Sequence, residues 1–338
     1  MRGYRRLGGP PEADLQTSGI HATHPNQSAT VPRRMRILIV ANPISGEGRA
    51  RRHSEALAGA LAGRGHDAIS LASEQADAAM WLPRHLDGAD AIAVVGGDGT
   101  VRSVAAVVAG SGVPLVHVPQ GNENLFARSL GMGPRIEDTV RLLERGDRHE
   151  VDMAVANGRA MLLMASMGLD AEIVADVATR RRDRVSNMDY LAAAGRALVG
   201  WRPTAVTVRV DGEVVVPAQS GWVVVSNASM YGGGINPAPM ARMDDRLLDL
   251  TFFRASSALE MAAWFVRCRL GLQREAAGFV HRRVPAEVVI EAASVSRWQL
   301  DGDPPPAASA TRSLTVRLAS SRLVVLGSPH GGTAAARA

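Results

Sequence analysis

Apolar residues recur through the first half of the chain in short unbroken runs separated by turn-rich polar stretches. That is the pattern of strands buried on both faces of a parallel sheet. Runs at 36–40, 68–71, 91–95 and 114–118 read as such strands. Between them the spacing turns helical. Ala50, His53, Leu57, Ala60 and Leu61 share one face of a helix ending at Gly63 or Gly65. A second helix is predicted over 76–86, and Val101, Val104, Ala105 and Val108 mark a third. Repeated β-α-β units predict a doubly wound parallel α/β domain over 35–150. Ligands of such sheets sit outside the carboxyl ends of the strands.

After about residue 150 the rhythm changes to alternation punctuated by turn dipeptides. Asn157-Gly158 between runs at 151–155 and 160–165 reads as a hairpin, as does Asp211-Gly212 between 204–210 and 213–216. Further strands are expected at 221–226, 247–254, 284–290, 297–300 and 314–318, with helices near 170–180, 187–200 and 257–273. These predict a β-rich, mainly antiparallel second domain over 151–318, whose cleft faces the first. A strand within 319–327 is expected to return to the first domain, before a disordered tail over 328–338. Residues 1–34 mix Gly, Pro, Ser, Thr and His without periodicity and read as a disordered leader. Met35 directly precedes the first strand and is read as the start of translation.

Composition narrows the chemistry. The chain has 338 residues, 46% of them hydrophobic, enough for a sizeable core and two domains. No apolar run approaches the length of a membrane span, and no secretory signal follows the basic N-terminus. The single cysteine, Cys268, excludes an internal disulfide framework and fits a reducing cytoplasm. All 38 basic residues are arginine, because the sequence contains no lysine. A lysine P-loop, G-x-x-x-x-G-K-S/T, is therefore excluded, as is Schiff-base chemistry on lysine. The charge of +5 would suit nucleic acid, but aromatics are only 4% and no zinc-ligand or stacking pattern occurs, so a nucleic-acid partner is not expected.

The candidate site is Ala91-Ile-Ala-Val-Val-Gly-Gly-Asp-Gly-Thr100, a buried strand running through a glycine turn into a helix. Glycines at 96, 97 and 99 let backbone N–H groups approach an anion at a helix N-terminus. Asp98 suits phosphate only with a cation between them, which a metal–nucleotide complex provides. The plainer reading is a tight βα turn with a capping Asp. A second glycine turn, Pro119-Gln-Gly-Asn-Glu-Asn124, opens another helix with Asn122 as the expected N-cap.

These segments carry a resemblance. Asn42-Pro-Ile-Ser-Gly46, Gly96-Gly-Asp-Gly-Thr100, Pro119-Gln-Gly-Asn-Glu-Asn-Leu-Phe-Ala-Arg128, Val151-Asp152 with Met167-Gly-Leu-Asp170, Tyr231-Gly-Gly-Gly-Ile-Asn-Pro-Ala-Pro-Met240 with Asp244-Asp245, and Leu300-Asp-Gly-Asp303 occur in that order. The set resembles the diacylglycerol kinase catalytic family, in particular its bacterial soluble lipid kinases, related to sphingosine and ceramide kinases. The resemblance implies an NAD-kinase-like N-terminal α/β domain and a C-terminal, mainly antiparallel β-sandwich. It implies phosphoryl transfer from ATP with Mg²⁺ to a lipid hydroxyl such as that of diacylglycerol, by a cytoplasmic enzyme peripheral at the membrane. A homodimer is compatible with it. Carried over, the nucleotide residues are Asn42, Pro43, Ser45, Gly46, Gly96, Gly97, Asp98, Gly99, Thr100, Gly121, Asn122 and Asn124. The general base falls on Asp301, with Asp303 beside it, where spacing alone gives a hairpin turn at Asp301-Gly302. A structural metal falls on the carbonyl of Arg242, the carboxylate of Asp245 and the carbonyl of Leu247.

The chain departs from the family pattern at Ser103, Asn122, Leu125, Arg246 and Asp303. A kinase for a soluble hydroxyl compound such as NAD, or a nucleotide sensor without turnover, are the competing readings. The basic run over 180–184 is either a solvated loop or a contact for anionic membrane. The apolar stripe of 258–271 covers a sheet or lies in a membrane interface.

Overall fold

The structure, a computed structural model, describes residues 33–43, 45–46, 48–73, 77–180, 187–305 and 310–328. The expected leader up to residue 32, the tail from 329, residues 181–184 of the basic run, and Ile44 and Glu47 of the first glycine loop lie outside them.

Four parallel strands form the centre of the first sheet: β1 (Arg36–Ala41), β2 (Asp67–Ala72), β3 (Ala91–Gly96) and β4 (Leu115–Pro119), in the order β2-β1-β3-β4. Residues 37–40 and 91–96 are buried throughout, as unbroken apolar runs between two helical layers should be. The connecting helices are α1 (Arg49–Ala62), α2 (Ala78–Trp81), α3 (Pro83–Leu86), α4 (Asp98–Val108), α5 (Leu125–Ser129) and α6 (Ile136–Arg145). In α1 the inward positions are Ala50, Ser54, Leu57 and Leu61, so Ser54 takes the place expected of His53. Its hydroxyl is satisfied by the Arg51 carbonyl at 2.8 Å. The helix expected over 76–86 is two short ones, because Pro83 starts its own first turn.

The chain leaves this sheet through β5 (His149–Val151) and builds the second with β6 (Ala154–Ala156), β7 (Arg159–Met161) and β8 (Met164–Met167). Helices α7 (Leu169–Thr179) and α8 (Asn187–Gly200) precede β9 (Ala205–Val210), β10 (Glu213–Ser226) and β11 (Leu248–Arg254). After α9 (Ala258–Leu270) come β12 (Phe279–Val284), β13 (Glu287–Ser296), β14 (Trp298–Leu300), β15 (Thr311–Leu318) and β16 (Leu323–Val325). The predicted strand over 284–290 is the end of one strand and the start of the next, since Pro285 cannot donate to a ladder. Asn157-Gly158 and Asp211-Gly212 have positive φ at both residues, as two-residue type I′ hairpins require.

The runs at 213–216 and 221–226 belong to one bent strand, β10. Its first part pairs with β9 through two register shifts, and its second pairs with β11 on one side and β8 on the other. The bend carries the ladder from one layer of the sandwich to the other. Val223 and Val225 point between the layers with Val208, Leu250, Ile290 and Val316. Trp222 and Val224 point outward, and Trp222 stacks on Phe253 at 4.8 Å beneath α9. Finally β16 re-enters the first sheet, parallel to β4 and antiparallel to β5. No helix among the described residues is long and apolar enough to cross a membrane.

Gly221 sits where β10 turns. A Cβ there would stand 2.4 Å from the Phe253 carbonyl oxygen and 2.6 Å from the Phe252 ring. Gly221→Ala should therefore destabilise the fold by about 1–3 kcal/mol, read as a lower urea midpoint; an unchanged midpoint would mean the bend relaxes freely.

Candidate functional site

Because β1, β3 and β4 are neighbours, their three carboxyl-end turns lie side by side. Hydrogen bonds lace them together: Asn42 N–H to Val95 O at 3.1 Å, and Gln120 N–H to Gly96 O at 2.8 Å. The Asn42 amide reaches Thr100 Oγ1 at 3.4 Å. The backbones touch. A Cβ on Gly121 would lie 2.7 Å from Gly97 Cα, and one on Gly46 2.7 Å from the Gln120 oxygen. Only glycine permits this approach, and the result is a backbone cradle at the N-termini of α1 and α4, the architecture that receives phosphate. Ser45 and Pro43 lie on the first loop, where Ser45 N–H donates to Asn42 O at 3.0 Å.

The cradle has two supports that the pattern of the sequence does not announce. His117, wholly buried in β4, donates from Nε2 to the Gly96 carbonyl at 3.0 Å. Burial lowers its pKa to about 4, so the ring is neutral. Asp98 accepts from the N–H groups of Leu125 and Phe126 at 2.9 and 3.0 Å, tying the start of α5 to the start of α4. Burial raises its pKa against the pull of those donors. The N-cap of α5 is Asn124, in left-handed conformation, with its side chain closing the turn on Gly121 N–H and O at 2.9 Å each. Asn122, the expected cap, is exposed two residues too early. The cap fell to the residue that could adopt positive φ and reach back three residues.

Across the cradle stands the turn at residues 300–303. Leu300 and Asp303 exchange two backbone bonds of 2.9 Å, and Asp301 and Gly302 both have positive φ, again type I′. Asp301 points inward and is buried. Its Oδ2 accepts from Leu162 N–H at 3.0 Å, and Oδ1 accepts from Leu163 and Met164 N–H at 2.8 and 3.0 Å. Burial pushes its pKa up, opposed first by Arg102 and then by those donors. Asp303 points the other way with its side chain 39% exposed, and its Oδ2 would lie 3.1 Å from a Cβ on Gly99. Arg102, one turn into α4, joins the halves: it donates to Leu300 O at 2.8 Å and Asp303 Oδ2 at 3.2 Å, and faces Asp301 at 3.7 Å. The readable signal for Arg102 was its place four residues after Asp98.

Behind the turn, buried Asp170 accepts from Ser166 Oγ and Tyr231 OH. Burial raises its pKa. Gln299 approaches it at 3.4 Å and accepts from Gly302 N–H at 2.9 Å, connecting this cluster to the Asp303 turn.

The loop expected to hold a structural cation is arranged differently. Asp245 Oδ1 accepts from Leu247 N–H at 3.1 Å and Oδ2 pairs with Arg283. Arg246 adopts φ 60 and donates its N–H to buried Asp152 at 2.7 Å. Arg322 Nε also donates to Asp152, at 2.9 Å, while its other nitrogens reach the Glu150 carboxylate and the Asp244 carbonyl. With a guanidinium already on the one carboxylate of the trio, Arg242 O, Asp245 and Leu247 O do not fit a divalent ion. Arginine does the neutralising here.

Comparison with known proteins agrees with this architecture. The family model of the diacylglycerol kinase catalytic domain matches residues 36–156. That of the YegS C-terminal NAD kinase beta sandwich-like domain matches 164–325. The chain belongs to the diacylglycerol kinase catalytic-domain family. A diacylglycerol kinase of Mycobacterium tuberculosis is 29% identical over 242 residues, 68% of this chain and 77% of that protein. An uncharacterized protein of Synechocystis is 29% identical over 192 residues, 57% of this chain but only 42% of that one. A crystal structure of a diacylglycerol kinase from Bacillus anthracis shares the fold, with TM-score 0.64 at 21% identity, over 88% of this chain and 98% of that chain.

Two outcomes are expected. A buried histidine held neutral adds stability above its unfolded pKa near 6.5, which is lost as pH falls towards about 4. The loss should be roughly 3 kcal/mol and absent from His117→Gln, whose amide can still serve Gly96; equal pH dependence of urea unfolding in both proteins would mean His117 is not held neutral. For the arginine-lined loop, the nucleotide-free melting temperature should be the same in EDTA and in Mg²⁺, and a fall on chelation would restore a structural ion there.

Proposed function

We propose that the chain is an ATP-dependent lipid kinase, transferring the γ-phosphoryl group of ATP to the hydroxyl of a lipid such as diacylglycerol. The observation that carries this reading is the glycine cradle lying directly beneath a half-exposed carboxylate delivered by the second sheet. The triphosphate is taken by the turns around Asn42, Pro43, Ser45 and Gly46, Gly96 to Thr100, and Gly121 to Asn124, where the backbone at the N-termini of α1 and α4 serves in place of the absent lysine. Mg²⁺ arriving with the nucleotide would supply neutralisation of the phosphate charge.

Asp303, not Asp301, is the better general base. An ionised carboxylate has about four acceptor sites, and on Asp301 three face backbone N–H groups while Arg102 lies beside it. Its work is to fold residues 162–164 around the turn. Asp303 keeps open acceptor sites above the cradle and is held by the one guanidinium that also fixes the turn. In the reaction the lipid oxygen forms the new bond to γ-phosphorus as its proton passes to the Asp303 carboxylate. The bond from γ-phosphorus to the β–γ bridging oxygen breaks, and ADP departs. Arg102 positions Asp303 and offsets charge gathering between Asp98 and Asp303, which are close enough to raise the Asp98 pKa. The enzyme works from the cytoplasmic side as a peripheral protein, with no nucleic-acid partner.

The test measures ADP release with diacylglycerol, ceramide, a sphingoid base and NAD as acceptors. Turnover with a lipid and none with NAD is expected; the reverse would favour a soluble acceptor. Asp303→Asn should lower kcat by about two to four orders of magnitude with ATP affinity nearly unchanged. Asp301→Asn should mainly lower the melting temperature, because its amide turns a donor toward backbone N–H groups. If Asp303→Asn keeps its rate and a folded Asp301→Asn loses it, the assignment is reversed.

A further inference from the structure

Helix α9 is apolar on two opposite sides. Met261, Trp264 and Cys268 are buried against the sandwich, where Trp264 meets Phe253 at 5.3 Å and donates from Nε1 to Arg254 O at 2.8 Å. That stripe accounts for the helix as a cover for the sheet. It does not account for the other one. Leu259, Val266 and Leu270 are 80%, 57% and 64% exposed. Seven and eleven residues separate the latter two from Leu259, so at 3.6 residues per turn all three lie within about 20° of one line. Leu272, 48% exposed, extends the line beyond the Gly271 cap.

Arg267 and Arg269 flank the stripe, about 80° to either side at that spacing. The arrangement of cations matters as much as the apolar face. Several surface arginines are answered by acids, Arg64 by Glu137 and Glu144, Arg196 by Asp176 and Arg283 by Asp245. Arg267 and Arg269 have no carboxylate partner among the described residues. Arg267 lies over the Trp264 ring at 5.2 Å, the Arg269 guanidinium lies beside Gly234, and both side chains are exposed to solvent. Beside the helix a cleft of about 620 Å³ is walled by Arg254, Arg267, Trp264 and Leu259.

We propose that this outer face of α9 is where the protein docks on an anionic lipid bilayer. Leu259, Val266, Leu270 and Leu272 enter the interface, and Arg267 and Arg269 meet lipid phosphates from either side. A helix lying in the membrane plane needs this composition: an apolar stripe bordered by cations whose stems can lie along it. A second copy of the chain fits the face poorly. It would bring the same arginines together, and the one acid on the helix, Glu260, is already engaged by Ser256 N–H and Oγ at 2.8 and 3.0 Å. The inference names the surface that a lipid kinase would use to reach its substrate, but its test does not depend on turnover.

The full chain is sedimented with vesicles of phosphatidylcholine alone and of phosphatidylcholine mixed with phosphatidylglycerol. Association with the anionic vesicles, weakening as salt rises, is expected. L259E/L270E alters only exposed positions, so it should melt like the parent and bind at least about tenfold more weakly. R267Q/R269Q, which removes both charges and keeps polar side chains, should lose about fivefold per arginine on anionic vesicles and little on neutral ones. Absence of vesicle binding by the parent overturns the proposal, as does parental binding by both variants. Sedimentation equilibrium is run without lipid: a dimer dissolved by L259E/L270E whose vesicle binding persists assigns the stripe to a second copy and also overturns it. Turnover on a dispersed short-chain lipid is measured separately. Vesicle binding without phosphorylation of any lipid would leave the docking face standing and remove the kinase reading.

Discussion

One guanidinium holds the site together. Arg102 rises from the first sheet's central turn and grips the peptide carbonyl of Leu300 and the carboxylate of Asp303, with Asp301 at 3.7 Å. Three carboxylates, Asp98, Asp301 and Asp303, converge on this region, two of them buried deeply enough that desolvation raises their pKa. Such a cluster is tolerable only because each acid has its own compensation. Asp98 has the first N–H groups of α5, Asp301 has three N–H groups of the chain reversal at 162–164, and Asp303 has water and Arg102. The charges are thereby sorted by their surroundings. Two carboxylates shape the backbone, and one is left facing the cleft.

Much of this framework could be read from the chain, and the boundary between readable and unreadable is physical. Buried strands and glycine turns are local: 91–96 can be little other than a central strand, and Gly96-Gly97 can be little other than a turn a ligand or backbone approaches. The partners of polar side chains are not local. Whether Asn122 or Asn124 caps α5 depends on which can reach Gly121, and whether Asp301 or Asp303 faces the cleft depends on donors 137 to 139 residues away. Asp301 lies within a type I′ turn and Asp303 just past it, so the chain reversal at positive φ gives the two acids of Asp-Gly-Asp opposite fates. His117, an unremarked member of an apolar strand, proved to hold the Gly96 carbonyl for the same reason: nothing in its own neighbourhood of sequence says so.

The absence of lysine runs through the structure as a preference for one kind of electrostatic joint. Guanidinium groups form forks, and here they fasten several acceptors at once: Arg322 spans Asp152, Glu150 and the Asp244 carbonyl, as Arg102 spans the Asp303 turn. At residues 242–247 that habit reaches a place where an oxygen-ligated ion would otherwise serve, and the backbone of Arg246 carries a left-handed conformation to make it work. The N–H of Arg246 on Asp152 at 2.7 Å accounts for why the strain is borne.

The last described strand, β16, is laid between β4 and β5, which precede it by some two hundred residues of chain. Beads on a string is therefore the wrong image for the birth of this protein. A growing chain releases the first five strands early, yet the gap between β4 and β5 stays open until the second sheet has been made and residue 325 has cleared the ribosome. During that interval β4, the strand that carries one wall of the glycine cradle, presents an unpaired edge. The first sheet is thus completed last at the end of β4 away from the cradle, at Leu115, and the half of the protein written first must wait for the half written last.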